Sequence, residues 1–174
     1  REPEVRRGAA RALGRKHVRA ALETLRVTLR DADSDVRTVG MRSMGQVVAA
    51  LRLRGERDAD QLVAQGLRKI AETGDEVDSL VASGILLQLG DATQIGTLRA
   101  GLRSATPLVR RLAIEMIDGD AVALRSGLAD PDRLVRLSAA RRLVAMGLAD
   151  GREALREMLR SGDAQSLIAY GLLR

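Results

Sequence analysis

The sequence predicts an all-α chain arranged as an α-solenoid, a stack of five to six helix pairs. Three observations predict it. The stretch Asp31 to Gly45, DADSDVRTVGMRSMG, recurs in variant form four more times. Apolar residues within each copy fall at helical spacing. Successive copies stand 31, 45, 28 and 26 residues apart, the length of one two-helix unit.

Each copy is anchored on a valine: Val5, Val36, Val81, Val109 and Val135. Four residues on stand Ala9, Gly40, Ile85, Ala113 and Ala139, and eight on stand Leu13, Met44, Leu89, Ile117 and Leu143. At 100° per residue these positions share one stripe, the core face of the second helix of each unit, here helix B. Gly14, Gly90 and Gly119 fit left-handed C-caps, while helix B of the second unit should pass through Gly45 to end near Gly55, and that of the fifth should run on to Gly147. Helix A lies upstream, with Leu22, Leu25, Leu29; Ile95, Leu98, Leu102; and Ala121, Leu124, Leu128 at i, i+3, i+7. Before Val81 the same offsets give Leu67, Ile70 and Gly74, so that helix A should stop a turn early. Asp33, Asp78, Thr106 and Asp132 are the expected N-caps, and Pro3 and Pro107 suit a first helical turn.

The one long spacing reflects an insertion near 46–58, QVVAALRLRGERDAD, whose apolar half reads as a longer helix B. After Gly147, GREALREMLRS reads as a sixth helix A, and a further helix B is expected around Ile168. Leu167, Ile168, Leu172 and Leu173 make that end apolar and suggest end-to-end self-association. The chain opens on Arg1 inside a repeat, and the 174 residues read as a single repeat domain that is a fragment of a longer protein.

Composition narrows the chemistry. Apolar residues make up 45%, with no Phe, no Trp and one Tyr, so the core must be aliphatic. There is no cysteine, hence neither a disulfide framework nor a thiolate metal site. No apolar run is long enough to span a bilayer, and a cytoplasmic location is expected. The net charge of +6 resides in residues 1–30, where nine Arg or Lys face three Glu.

The pattern D-x-D-x-x-VR-x-x-A-x-x-x-LG, present as DADSDVRTVGMRSMG, DPDRLVRLSAARRLV and EPEVRRGAARALG, resembles the HEAT repeat, in particular the short HEAT-like repeats of phycobilin lyases. The resemblance covers nearly the whole chain. It implies a right-handed solenoid with A helices on the convex side and B helices on the concave side, and the work of an adaptor or scaffold. The third copy departs, with Ala82 where the family has Arg. No residue singles out a tetrapyrrole.

Two sets of arginines stand out. Arg6, Arg37, Arg110 and Arg136 follow the anchors, about 60° from the middle of the core stripe. With Asp31, Asp33, Asp130 and Asp132 at the turns they read as a structural ladder, a guanidinium being able to bridge several oxygens across a unit boundary. On the opposite side, positions two and six past the anchor give Arg7, Arg11, Arg42, Arg111 and Arg141, with Arg142 beside them. Under the family arrangement these line a concave groove, whose middle (Ser83, Leu87, Gln88) is nearly uncharged.

Catalysis finds no support. His17 is the sole histidine, and no nucleophile–base pair, metal cluster or phosphate loop is present. No cofactor and no metal are expected. The expected function is a non-catalytic protein–protein interaction scaffold, of expected bacterial origin, whose outward arginines receive an acidic segment or surface. The alternative is weak, sequence-independent nucleic-acid binding led by residues 1–30, although no Phe or Trp offers a stacking platform.

Overall fold

The computed structural model describes residues 2–160, and the expected helix around Ile168, with its apolar end and Tyr170, lies outside them. The described chain is all-helical: α1 (Pro3–Gly14), α2 (Arg19–Arg26), α3 (Ser34–Leu53), α4 (Ala59–Thr73), α5 (Glu76–Gln88), α6 (Ile95–Gly101), α7 (Pro107–Met116), α8 (Ala121–Gly127), α9 (Arg133–Ala145) and α10 (Ala149–Arg160). Short 3-10 turns cover Val27–Arg30 and Ala92–Gln94. The chain forms two compact units, 1–97 and 98–174. No helix among the described residues is long and apolar enough to cross a membrane.

In the first unit α3 packs between α1 and α5, while α2 packs on α3 and α4 on α5. The core is aliphatic, with Leu22, Leu25, Met41, Met44, Val47, Val48, Leu51, Val63 and Leu67 closed to solvent. In the second unit α9 is the hub, touched by α7, α8 and α10. The stripe positions Val36, Gly40, Met44, Val81, Ile85, Val109, Ala113, Ile117, Val135, Ala139 and Leu143 are all buried. The first copy differs. Val5 is 55% exposed and Ala9 is exposed, because the later copies cover this stripe with helix A and no such helix lies N-terminal to Pro3 among the described residues.

Capping follows the sequence in part, and Thr106 holds the N-cap position of α7 without a side-chain hydrogen bond. Asp33 and Asp132 accept from the amides of Val36 and Val135, as N-caps should. The α5 cap is Asp75, not Asp78; Asp78 lies three residues into that helix and is buried. Helix α4 does not stop early: its last residue, Thr73, holds the same offset from its anchor as the last residues of α6 and α8. Gly14 is not a left-handed cap. It remains helical because a Cβ there would lie 2.8 Å from that of Ser43, so its role is close approach. Gly55, Gly90 and Gly147 do take positive φ, and each is followed by an amide that bonds back to Leu51, Leu86 or Leu143, closing the helix end. The insertion continues α3 through Gly45 to Leu53, whose side chain is 91% exposed.

With no large aromatic side chains, helices must approach closely to exclude water. A Cβ on Gly40 would fall 1.8 Å from the Thr28 hydroxyl and 2.6 Å from its Cβ. That hydroxyl is tied to the Leu25 carbonyl at 2.5 Å, and the β-branched side chain has little freedom to turn away. Gly151 meets backbone rather than a side chain, with a built Cβ 2.6 Å from the Ala140 carbonyl oxygen. Gly40→Ala therefore sets a helix-propensity gain of about 1 kcal/mol against an overlap that cannot be relieved by rotation. Overlap wins: urea unfolding should show a net loss of about 1–3 kcal/mol, much smaller in a Thr28→Gly background. A Gly40→Ala protein more stable than the parent would refute the close crossing.

Candidate functional site

The turn arginines are held by two kinds of oxygen. Arg6 donates from Nε and Nη2 to the two oxygens of Asp31, at 2.7 and 2.8 Å. Arg110 does the same to Asp130, at 2.8 and 2.9 Å, and its Nη1 reaches the carbonyls of Ser104 and Ala105. Arg37 donates to Asp78 at 2.5 Å and Asp75 at 2.9 Å, with Nη1 on the carbonyls of Asp31 and Ala32. Arg136 donates to the carbonyls of Asp130 and Pro131. Arg37, Arg110 and Arg136 thus close the turn before their own B helix, and Arg6, Arg37 and Arg110 bond a carboxylate at the start of the next.

The carboxylates divide by task. Asp31 and Asp130 take the arginines and also accept from the amides of Asp33 and Asp132, while Asp33 and Asp132 cap helices. Arg6 and the Asp33 amide hold the Asp31 carboxyl down at about 2, and Arg110 lowers that of Asp130. Asp78 moves the other way, because burial raises its pKa more than Arg37 lowers it. Where Ala82 interrupts the arginine series, Arg52 supplies another tie: it donates to Asp60 and to the carbonyls of Gln88 and Leu89, joining α3 to the start of α4 and the end of α5. Nothing in the repeat register singles Arg52 out, since it sits in the insertion.

The outward arginines are dispersed. Arg7 is paired with Asp35 at 2.7 Å, and Arg42 is half-buried on α3. Arg11 and Arg141 are exposed. The middle of the expected groove floor is closed at Ser83, while Leu87 is half-buried and Gln88 exposed. Ser83 is fully buried and donates to Gln94 at 3.0 Å, and Leu137 is buried against Ala140 and Leu155 of α9 and α10. A B helix flanked by three neighbours is covered well beyond one stripe, so a position opposite the anchor need not meet water. In the second unit, Arg141 and Arg142 come together with Glu115 and Ser138 around a groove of ≈ 640 Å³. Arg142 is fixed there by the Ile117 carbonyl at 2.9 Å and Asp118 at 3.0 Å.

Nothing at His17 suggests chemistry. It lies exposed in the α1–α2 turn at φ 48°, and its carbonyl accepts from Arg54. Among the described residues, no three His, Cys, Asp or Glu groups come together in a way that could hold a metal.

What the fold defines is an all-helical chain whose turns are cross-tied by arginines. No protein-family model matches it, and no curated protein matches it. Among solved structures it is similar to the crystal structure of an engineered protein, with 19% identity and a TM-score of 0.46 over 99% of this chain and 90% of that one.

Two outcomes follow from the turn geometry. Arg37→Ala leaves the buried Asp78 carboxylate without its guanidinium and should cost about 3 kcal/mol in denaturant unfolding. The deficit should shrink on acidification, as Asp78 takes up a proton, and in an Asp78→Asn background; a loss below about 1 kcal/mol would mark an ordinary surface pair. Asp31 has the opposite sign. Its contribution is complete above its unfolded value of 3.8 and is lost as pH falls through about 2. The stability gap between the parent and Asp31→Asn should therefore be flat above pH 4 and close toward pH 2; a gap unchanged at pH 2 would refute the tie.

Proposed function

We propose that this chain is a right-handed HEAT-like α-solenoid of five to six helix pairs, acting as a non-catalytic scaffold that presents arginines to an acidic peptide or protein surface. The observation that carries the reading is the recurrence of one packing register. The same stripe is buried in four copies, with Leu89 of the third only half-buried, and an arginine next to the anchor closes the turn in three of them. Repetition of this kind spends the sequence on building an extended surface rather than a single catalytic cleft. The arginines outside the ladder then supply the polarity. Arg11 and Arg141 stand open to solvent, and a planar guanidinium pairs with a carboxylate through two parallel hydrogen bonds.

The charge excess of residues 1–30, with Arg11, Arg15 and Lys16 exposed, favours the second reading, binding to nucleic-acid backbones. Salt separates the two. A short peptide of alternating glutamate and leucine should bind the full chain by calorimetry at about 0.15 M salt, and its affinity should fall modestly as salt rises. A single-stranded oligonucleotide should bind more weakly and lose affinity steeply with salt. Tight oligonucleotide binding with no measurable peptide binding would overturn the scaffold reading in favour of the second.

A further inference from the structure

Only some of the outward arginines meet around a cavity. In the second unit, a groove of ≈ 640 Å³ is lined by Glu115 of α7 and by Ser138, Arg141, Arg142, Val144 and Ala145 of α9 and its end. Helices α7 and α9 pack on each other, so both walls belong to one body. Arg142 uses Nη2 to hold the Ile117 carbonyl and Asp118, which fixes its plane, while its buried Nε–H has no hydrogen-bond acceptor. Arg111 stands one turn before Glu115 at 3.8 Å, too long for a hydrogen bond, and its buried Nε–H also lacks an acceptor. Arg141 is exposed beside them. The Arg142 side chain is nonetheless partly open to solvent and bonds through Nη2 alone, so it and the exposed Arg141 both keep donors that a ligand can reach.

We infer that the α7–α9 groove is a carboxylate-binding site that takes one Glu or Asp side chain of an acidic peptide, with Arg141 and Arg142 as its donors. The inference rests on the acidic-partner reading above and places it in the second unit, away from the basic N-terminal end. A carboxylate fits better than a row of phosphates. Glu115 and Asp118 flank the arginines and repel a continuous polyanion, whereas one carboxylate passes between them. Ser138 adds a hydroxyl, and Val144 and Ala145 supply an apolar shoulder for the aliphatic part of the ligand. Arg142 arrives already oriented, so little of the pairing energy is lost in ordering it.

The test titrates the full chain with the blocked glutamate–leucine peptide and follows heat and the circular dichroism of each variant. Arg141→Glu should raise Kd about tenfold or more, and Arg142→Ala should do so too; an Arg7→Glu/Arg11→Glu variant tests placement at the N-terminal end, and Arg103→Glu, at an exposed turn, should bind within about twofold of the parent. Arg141 has no structural contact to lose, so its variant remains informative even if Arg142→Ala unfolds. If the parent binds and both groups of variants bind alike, or only the Arg7/Arg11 variant fails, the groove is overturned while the acidic-partner reading stands. If the parent binds no peptide, the acidic-partner reading fails and the groove with it. If an oligonucleotide displaces the peptide and depends equally on Arg141, the site takes phosphate and the carboxylate assignment is overturned.

Discussion

An aliphatic core without phenylalanine or tryptophan sets the terms on which this chain can fold. Large aromatic rings can fill the space between helices whose axes stand well apart; alanine, valine and leucine cannot. Helices must then approach until their backbones nearly touch, and glycine is placed where they do. Gly40 admits Thr28, Gly14 admits Ser43, and Gly151 lets α10 rest on the backbone of α9. Each crossing has almost no tolerance for an added methyl group, which makes the interior specific although its side chains are few in kind.

Close crossings bring turn backbones and charged side chains together as well, and the arginine series follows from that. The residue after each anchor leaves the core edge at the level of the turn, within reach of orphan carbonyls at its own helix start. In Arg6, Arg37 and Arg110 it also reaches a carboxylate at the start of the next B helix. The arrangement satisfies backbone oxygens that would otherwise be half-buried without partners. Burying Asp78 is the costly part of it, since desolvation raises that carboxyl in spite of the paired guanidinium.

Periodic features were legible in the sequence because they report on one helix at a time. The buried stripe, the N-caps at Asp33 and Asp132 and the passage of α3 through Gly45 all follow from spacing and local chemistry. Features that depend on a neighbouring helix were not. Asp78 reads as a cap by its offset, yet the cap is Asp75, because α5 begins a turn earlier than the repeat suggests. Gly14 reads as a C-cap and is a crossing point. Ser83 reads as an outward position and is buried, since a B helix with three neighbours has little outward face left. Arg52 carried no signal, its partners being set by the fold of the insertion.

The same distinction governs the surface. Register places Arg7, Arg11, Arg42, Arg111, Arg141 and Arg142 on one side of their helices, but register does not say which of them already has an acid. Arg7 is held by Asp35 at 2.7 Å, so an incoming carboxylate there gains little beyond what it displaces. Arg142 is also held, but through one nitrogen only, and the contact leaves its buried Nε–H facing no acceptor. A guanidinium already oriented through Nη2 is a better receptor than a free one, because its plane is settled before the ligand arrives, and Arg142 makes no hydrogen bond through Nη1. Charge counting favours the N-terminal thirty residues as the binding end; hydrogen-bond accounting favours the groove between α7 and α9. Recognition of a single carboxylate depends on directed donors rather than on net charge, and on that ground the second unit is the stronger candidate.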